Sequence, residues 1–163
     1  MRRIYIPASG PEDWKQFLSE PEKQWKKGFS ARALAYCWQE ANNIPADVKR
    51  VLSQAPGFEE IEALVIIPEH KVPLPGGARP SQTDCWVLAR TSRDLISIAV
   101  EGKVSEPFGP TIKEWLTNPS EGKKERLSYL CSQNIDSIVS VGKKAGTNLH
   151  FAWVCGHERY LWI

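Results

Sequence analysis

The sequence predicts a mixed α/β (α+β) domain. Three observations carry that expectation. Apolar residues recur at helical spacing through the first third of the chain, two runs of period two follow, and helical spacing returns after the Pro107-Phe108-Gly109-Pro110 break. Helices, then a hairpin, then helices exclude an all-helical bundle. At 163 residues the chain suits a single domain, 1–163.

Each element has a local reason. Residues 4–6 are a candidate opening strand. Ser9 is placed to cap a helix running to about residue 19, with Pro11 in its first turn and Glu12 and Asp13 beside the positive end of the dipole. That helix puts Trp14, Phe17 and Leu18 on one face. Residues 20–28 are charged and read as a loop or a short helical turn. Ser30 caps a stronger helix over 31–42, where Leu34, Cys37, Trp38 and Ala41 form an amphipathic stripe. Pro45 opens a third helix to about residue 53, with Val48, Val51 and Leu52 inward, and Pro56-Gly57 breaks it. Residues 58–65 read equally as helix and as strand, since Val65, Ile66 and Ile67 are β-branched.

Between His70 and Gln82, three prolines and two glycines argue against both helix and central strand. Strands follow at 83–90 and 95–104, and the polar link Thr91-Ser92-Arg93-Asp94 has hairpin length. Thr111 is placed to cap a helix carrying Ile112, Trp115 and Leu116. Gly122 opens another with Leu127, Leu130 and Cys131 at helical spacing. The tail from 135 reads as mixed, with a candidate strand at 149–155.

Composition narrows the function classes. Lys and Arg number 21 against 19 Asp and Glu, a formal net charge of +2, so any nucleic-acid contact has to come from a local patch. The longest apolar stretches, such as 63–68, fall far short of the ~20 residues that span a bilayer. No apolar run of signal-peptide length follows the two N-terminal arginines. The four scattered cysteines, Cys37, Cys85, Cys131 and Cys155, form no C-x-x-C pair. They read as reduced, buried thiols in a cytoplasmic protein without structural zinc.

The hairpin holds the chemistry. With Ser92 and Arg93 as a two-residue turn, Thr91 faces Asp94, Asp84 faces Glu101 and Gln82 faces Lys103. Facing side chains have β-carbons about 5 Å apart. One face then carries Cys85, Val87, Ala89, Ile96, Ile98 and Val100 and must be core. The other carries Asp84, Trp86 and Leu88 with Glu101, Ala99 and Ser97, and Lys103 points to it as well. Two carboxylates this close repel unless a proton or cation lies between them. Mg²⁺ suits such a pair, because it takes one or two carboxylates and keeps waters. A solvated ion-pair network of Asp84, Glu101 and Lys103 is the competing reading.

Asp84 followed by Glu101-Gly102-Lys103, on consecutive strands after N-terminal helices, resembles the PD-(D/E)XK nuclease superfamily. Separated segments resemble an uncharacterised bacterial domain-of-unknown-function family with that nuclease-like core. They include Pro21-Glu-Lys-Gln-Trp, Pro68-Glu-His-Lys-Val-Pro-Leu-Pro-Gly-Gly, Ser81-Gln-Thr-Asp and Val100-Glu-Gly-Lys-Val-Ser-Glu-Pro-Phe-Gly-Pro. The likeness covers about 20–131. It implies a restriction-endonuclease-like core, a central mixed sheet flanked by helices, with Asp84, Glu101 and the Gly102 carbonyl as ligands of Mg²⁺ (or Mn²⁺) and Lys103 as the lysine that orients or activates water. A further Glu from the first core helix is expected, with Glu40 preferred and Glu62 second. Thr83 stands where the superfamily often has proline. The 134–163 tail departs from the longer relatives, so the C-terminal part is expected to be incomplete relative to them.

Around this centre, Lys23, Lys26 and Lys27 with Trp25 are candidates to track a phosphate backbone, as are Lys123, Lys124 and Arg126. A solvated charged face is the plainer reading. His70 reads as a polar loop residue, Cys155 and His157 have no metal-ligand spacing with a second pair, and Gly76-Gly77 lacks the rest of a phosphate loop. The expectation is a Mg²⁺-dependent nuclease-like protein with nucleic acid as partner and no membrane. The alternative is a non-catalytic binding or regulatory module on the same scaffold. Substrate polymer and oligomeric state stay open.

Overall fold

The computed structural model describes residues 3–4, 8–105, 112–132, 137–141, 151–155 and 160–162, the last three groups by their backbone alone. A 3₁₀ segment, Pro11–Phe17, comes first. The helices are α1 (Pro21–Gln24), α2 (Ser30–Ala41), α3 (Ala46–Leu52), α4 (Ile112–Trp115) and α5 (Glu121–Ser132). The strands are β1 (Glu62–Val72), β2 (Ser81–Arg90), β3 (Leu95–Val100), β4 (Ser137–Val141), β5 (Phe151–Cys155) and β6 (Tyr160–Trp162). They form one six-stranded sheet in the order β1-β2-β3-β6-β5-β4. Only β3 and β6 pair in parallel, so the sheet is mixed and the architecture is α+β. No described helix is long and apolar enough to cross a membrane.

The β2–β3 register is the expected one, running from Cys85 opposite Val100 to Arg90 opposite Leu95. The predicted core face is buried throughout: Cys85, Val87, Ala89, Ile96, Ile98 and Val100 are each at most 1% exposed. Against it packs α2 through Leu34, Ala35 and Trp38. Each fully buried aliphatic side chain there contributes roughly 1.5–3 kcal/mol. Asn42 ends α2 in the left-handed region at φ 45°, which Asn tolerates because its short side chain bonds locally. Asn43 then ties the chain to β1, its Oδ1 accepting the Ala63 N–H at 2.9 Å.

Several local expectations are corrected. The first helix is a 3₁₀ segment in which Asp13, not Ser9, supplies the cap, accepting the Ser9 and Gly10 N–H groups at 2.6 and 3.2 Å. Ser30 lies inside α2, with Phe29 at the N-cap position. Cys37 and Ala41 are exposed, because Ala35 takes the inward position next to Leu34. The ambiguous 58–65 segment resolves as loop running into β1. That strand reaches Val72, so His70 is a strand residue rather than a loop one. The second hairpin strand stops at Val100. Cys85 is buried, but Cys37 and Cys131 are exposed. Ile4 makes a parallel bridge to Ile66, while residues 5–6 lie outside the described residues. So do Thr111, His157 and the 107–110 break.

Candidate functional site

The expected centre is at the end of the sheet where β1, β2 and the segment after β3 meet the start of α2. A cleft of about 480 Å³ opens there, lined on the sheet side by Glu69, Gln82, Asp84, Glu101 and Lys103. Leu18, Ser19, Lys23 and Gln24 form one rim, and Phe29, Ser30 and Ala31 bring the first turn of α2 to another. The Gly102 N–H donates to Asp84 Oδ2 at 2.8 Å, just past the Cys85–Val100 pair that ends the ladder. Lys103 Nζ pairs with Glu101 Oε1 at 2.6 Å.

Glycine at 102 is what lets α2 sit this close. A Cβ there would fall 2.7 Å from Leu34 Cδ1 and 3.2 Å from Ser30 Cβ. The Glu-Gly-Lys segment and the N-terminal turn of α2 are therefore in contact, which places both beside the same cleft.

Glu69 is the residue that sequence reasoning missed. It is buried, at 8% exposure, and its Oε2 accepts a hydrogen bond from the Gln82 side-chain amide. Pro68 pairs with Cys85 and His70 with Thr83, so Glu69 stands opposite Asp84 in the register. Burial pushes its carboxyl up to about 7, and the negative charges of Asp84 and Glu101 push the same way, against the Gln82 hydrogen bond and Lys71. A signal was present in the sequence: an acid in an apolar strand, inside the Pro68-Glu69-His70-Lys71 segment. The proline- and glycine-rich run that begins at His70 masks it, because that run argues against a strand continuing past Glu69.

The predicted grouping of faces needs correction here. Gln82 and Asp84 line the carboxylate cleft, whereas Ser81, Thr83 and Trp86 line a second cavity of about 280 Å³ together with Ser97, Ala99 and Leu130. Strict alternation would put Thr83 and Trp86 on opposite sides. The phase slips by one between them, next to Glu69, whose φ of 50° lies in the left-handed region. Pro68 and Glu69 are accordingly buried in succession. Irregularities of this kind re-aim side chains near sites. His70 belongs to the second cavity and packs on Trp86, ring centroids 5.2 Å apart.

The other expected residues are distributed differently. Glu40 is exposed, ten residues along α2 from Ser30, about 15 Å at the helical rise, and it does not line the cleft. Glu62 lies at the far end of β1, paired with Arg3 and Arg90. Lys23 reaches the rim, where it pairs with Glu20. Lys26 and Lys27 are exposed and outside the described lining, Lys26 lying over the Phe29 ring at 5.8 Å. Lys123 donates to the Trp115 carbonyl at 3.0 Å, and Lys124 pairs with Glu121 at 2.6 Å. Arg126 holds the β1–β2 loop, donating to the carbonyls of Pro75 at 3.2 Å and Arg79 at 2.6 Å. That docking brings Gly76 so near Gly122 that a Cβ on Gly76 would fall 2.0 Å from the Gly122 carbonyl oxygen.

Whether these donors suit a metal depends on their number. Among the described residues, no three His, Cys, Asp and Glu side chains are grouped so as to hold an ion by themselves. Asp84, Glu101 and a main-chain carbonyl fit the hard, partly hydrated Mg²⁺ and do not fit a metal that needs a full side-chain cage.

The fold and cleft define a small α+β protein with a carboxylate–lysine centre at the end of its sheet. The chain belongs to a family described as a domain of unknown function (DUF6946), whose profile matches residues 7–138. No curated protein and no solved structure matches the chain.

Proposed function

We propose that the chain is a Mg²⁺- or Mn²⁺-dependent nuclease-like protein of the PD-(D/E)XK type, with a restriction-endonuclease-like core, that hydrolyses phosphodiester bonds of nucleic acid. The observation that carries this reading is the meeting of Asp84, Glu101 and Lys103 in one open cleft. Asp84 and Glu101 would hold the cation, with the Gly102 carbonyl as a third donor. A bound cation supplies charge neutralisation at the phosphate and a water of lowered pKa. Lys103 orients that water through its ammonium group. Asp84 is itself oriented by the Gly102 N–H. Lys23 and the first turn of α2 present positive potential on the rim where a phosphate would lie.

A second reading is favoured by one contact. Lys103 already neutralises Glu101 at 2.6 Å, as it would in a non-catalytic module that keeps the scaffold for binding or regulation. Two measurements separate the readings. Mn²⁺ titration of the full chain should show binding that Glu101→Ala abolishes, and an unchanged affinity in that variant would remove the metal site. Hydrolysis of single-stranded DNA, duplex DNA and RNA with Mg²⁺ or Mn²⁺ should fall at least ~100-fold in Lys103→Ala, the scale of a lost acid–base group. If wild type and Lys103→Ala are equally inert on all three substrates, catalysis is discarded and the binding module stands.

A further inference from the structure

Glu69 is costly to keep where it is. The residue is only 8% exposed, yet it lies in a cleft with two other carboxylates. Gln82 holds Oε2, and the carboxyl lines the cleft that Asp84 and Glu101 also line. Burying an acid against an amide costs free energy that a hydrophobic residue at the same place would not. The backbone adds to that cost, since a left-handed φ of 50° is unfavourable for a Glu within a strand.

The register supplies the geometry. Glu69 stands opposite Asp84, and Asp84 stands where the β2–β3 register leads to Glu101. Three carboxylates thus follow one another across neighbouring segments at the same level of the sheet. They are not grouped tightly enough for all three to touch one ion. Mg²⁺ and Mn²⁺ sites of this type leave several positions to water, and those waters need acceptors of their own.

Resting on the metal-site reading above, we propose that Glu69 is a positioning residue of that site, accepting hydrogen bonds from water bound to a divalent cation at Asp84 and Glu101. Gln82 sets its orientation by holding the second oxygen. Glu69 does not ligate the ion, so its removal weakens and loosens the hydrated cation without abolishing binding.

The test uses Mn²⁺ alone as the probe on the 163-residue chain, with affinity read by calorimetry and bound water by proton relaxation. Asp84→Asn should abolish binding. Glu69→Gln, which keeps the shape, should bind about tenfold more weakly, the lower range for loss of an outer partner, and should alter the relaxation per bound Mn²⁺. Glu69→Asp, which tolerates a left-handed φ, should recover part of both. If Glu69→Gln matches wild type in affinity and relaxation while Asp84→Asn abolishes binding, Glu69 has no such role and the metal site survives. If wild type itself takes up no Mn²⁺, the metal reading fails and this role fails with it. If Glu69→Gln does not fold, Glu69→Asp decides: affinity and relaxation that both fall short of wild type support the role, and wild-type values of both overturn it.

Discussion

At the level of single residues, the burial of Glu69 makes the cleft sensitive to pH. Its carboxyl titrates at about 7 in the folded protein against 4.5 when free, chiefly because it is buried. The folded state therefore holds the proton more tightly than the unfolded chain. This stabilisation is fully present below pH 4.5, declines as the pH rises through about 7, and is gone above that. A shift of this size corresponds to a loss on the order of 3 kcal/mol across the window. Urea unfolding in chelator at pH 5 and pH 8 should show that decline in wild type and a much flatter response in Glu69→Gln. Equal pH dependence in both proteins would mean that another group governs the window.

At the scale of elements, the decisive contact is between α2 and the segment after β3. The helix approaches Gly102 so closely that Leu34 and Ser30 occupy the space a side chain would need. Gly102→Ala should then destabilise the fold by about 1–3 kcal/mol, the usual cost of overpacking. It should also disturb the Gly102 N–H bond that orients Asp84. Leu34→Ala relieves the clash directly, so the double variant should be more stable than the two single losses added together, by at least ~0.5 kcal/mol. Thermal or urea unfolding of the four proteins gives the coupling, and strict additivity would show that the helix yields elsewhere. The same contact accounts for the placement of the first turn of α2 beside the carboxylates.

For the whole molecule, charge is informative through its location. A net charge of +2 gives no general attraction for a polyanion. Of the six basic residues expected to meet nucleic acid, Lys23 alone lines the cleft, where it pairs with Glu20; Lys124, paired with Glu121, and Arg126, committed to the β1–β2 loop, lie outside that lining. Binding to DNA should accordingly depend weakly on salt. The slope of log affinity against log salt is expected to be no steeper than about −2 for duplex DNA, since Lys23 and Lys103 line the cleft, each already facing a carboxylate, Glu20 and Glu101, and each contact counts about 0.9. Lys23→Ala should make that slope shallower by about one contact, and Lys124→Ala should leave it unchanged. An equal effect of both substitutions would place the nucleic-acid surface outside the cleft.

Much of this was legible in the chain itself. The period-two runs and the short polar link gave the β2–β3 register, and with it the buried face from Cys85 to Val100 and the approach of Asp84 to Glu101. Alternation and turn length are local rules, so they survive in the folded protein. The same rules failed at Asp84 and Trp86, which they put on one face. The left-handed backbone at Glu69 shifts the phase there, and nothing in the sequence of β2 records a kink in its neighbour. Glu40 was misplaced because helical position along α2 does not say which end meets the sheet. Arg126 looked available because its carbonyl partners, Pro75 and Arg79, are distant in sequence. The sequence by itself determined the mixed α+β class, the β2–β3 register and its core face, since each depends on neighbours along a strand. Only the tertiary structure decided which charges share the cleft, because burial, close approach at Gly102 and the docking of loops depend on segments brought together by folding.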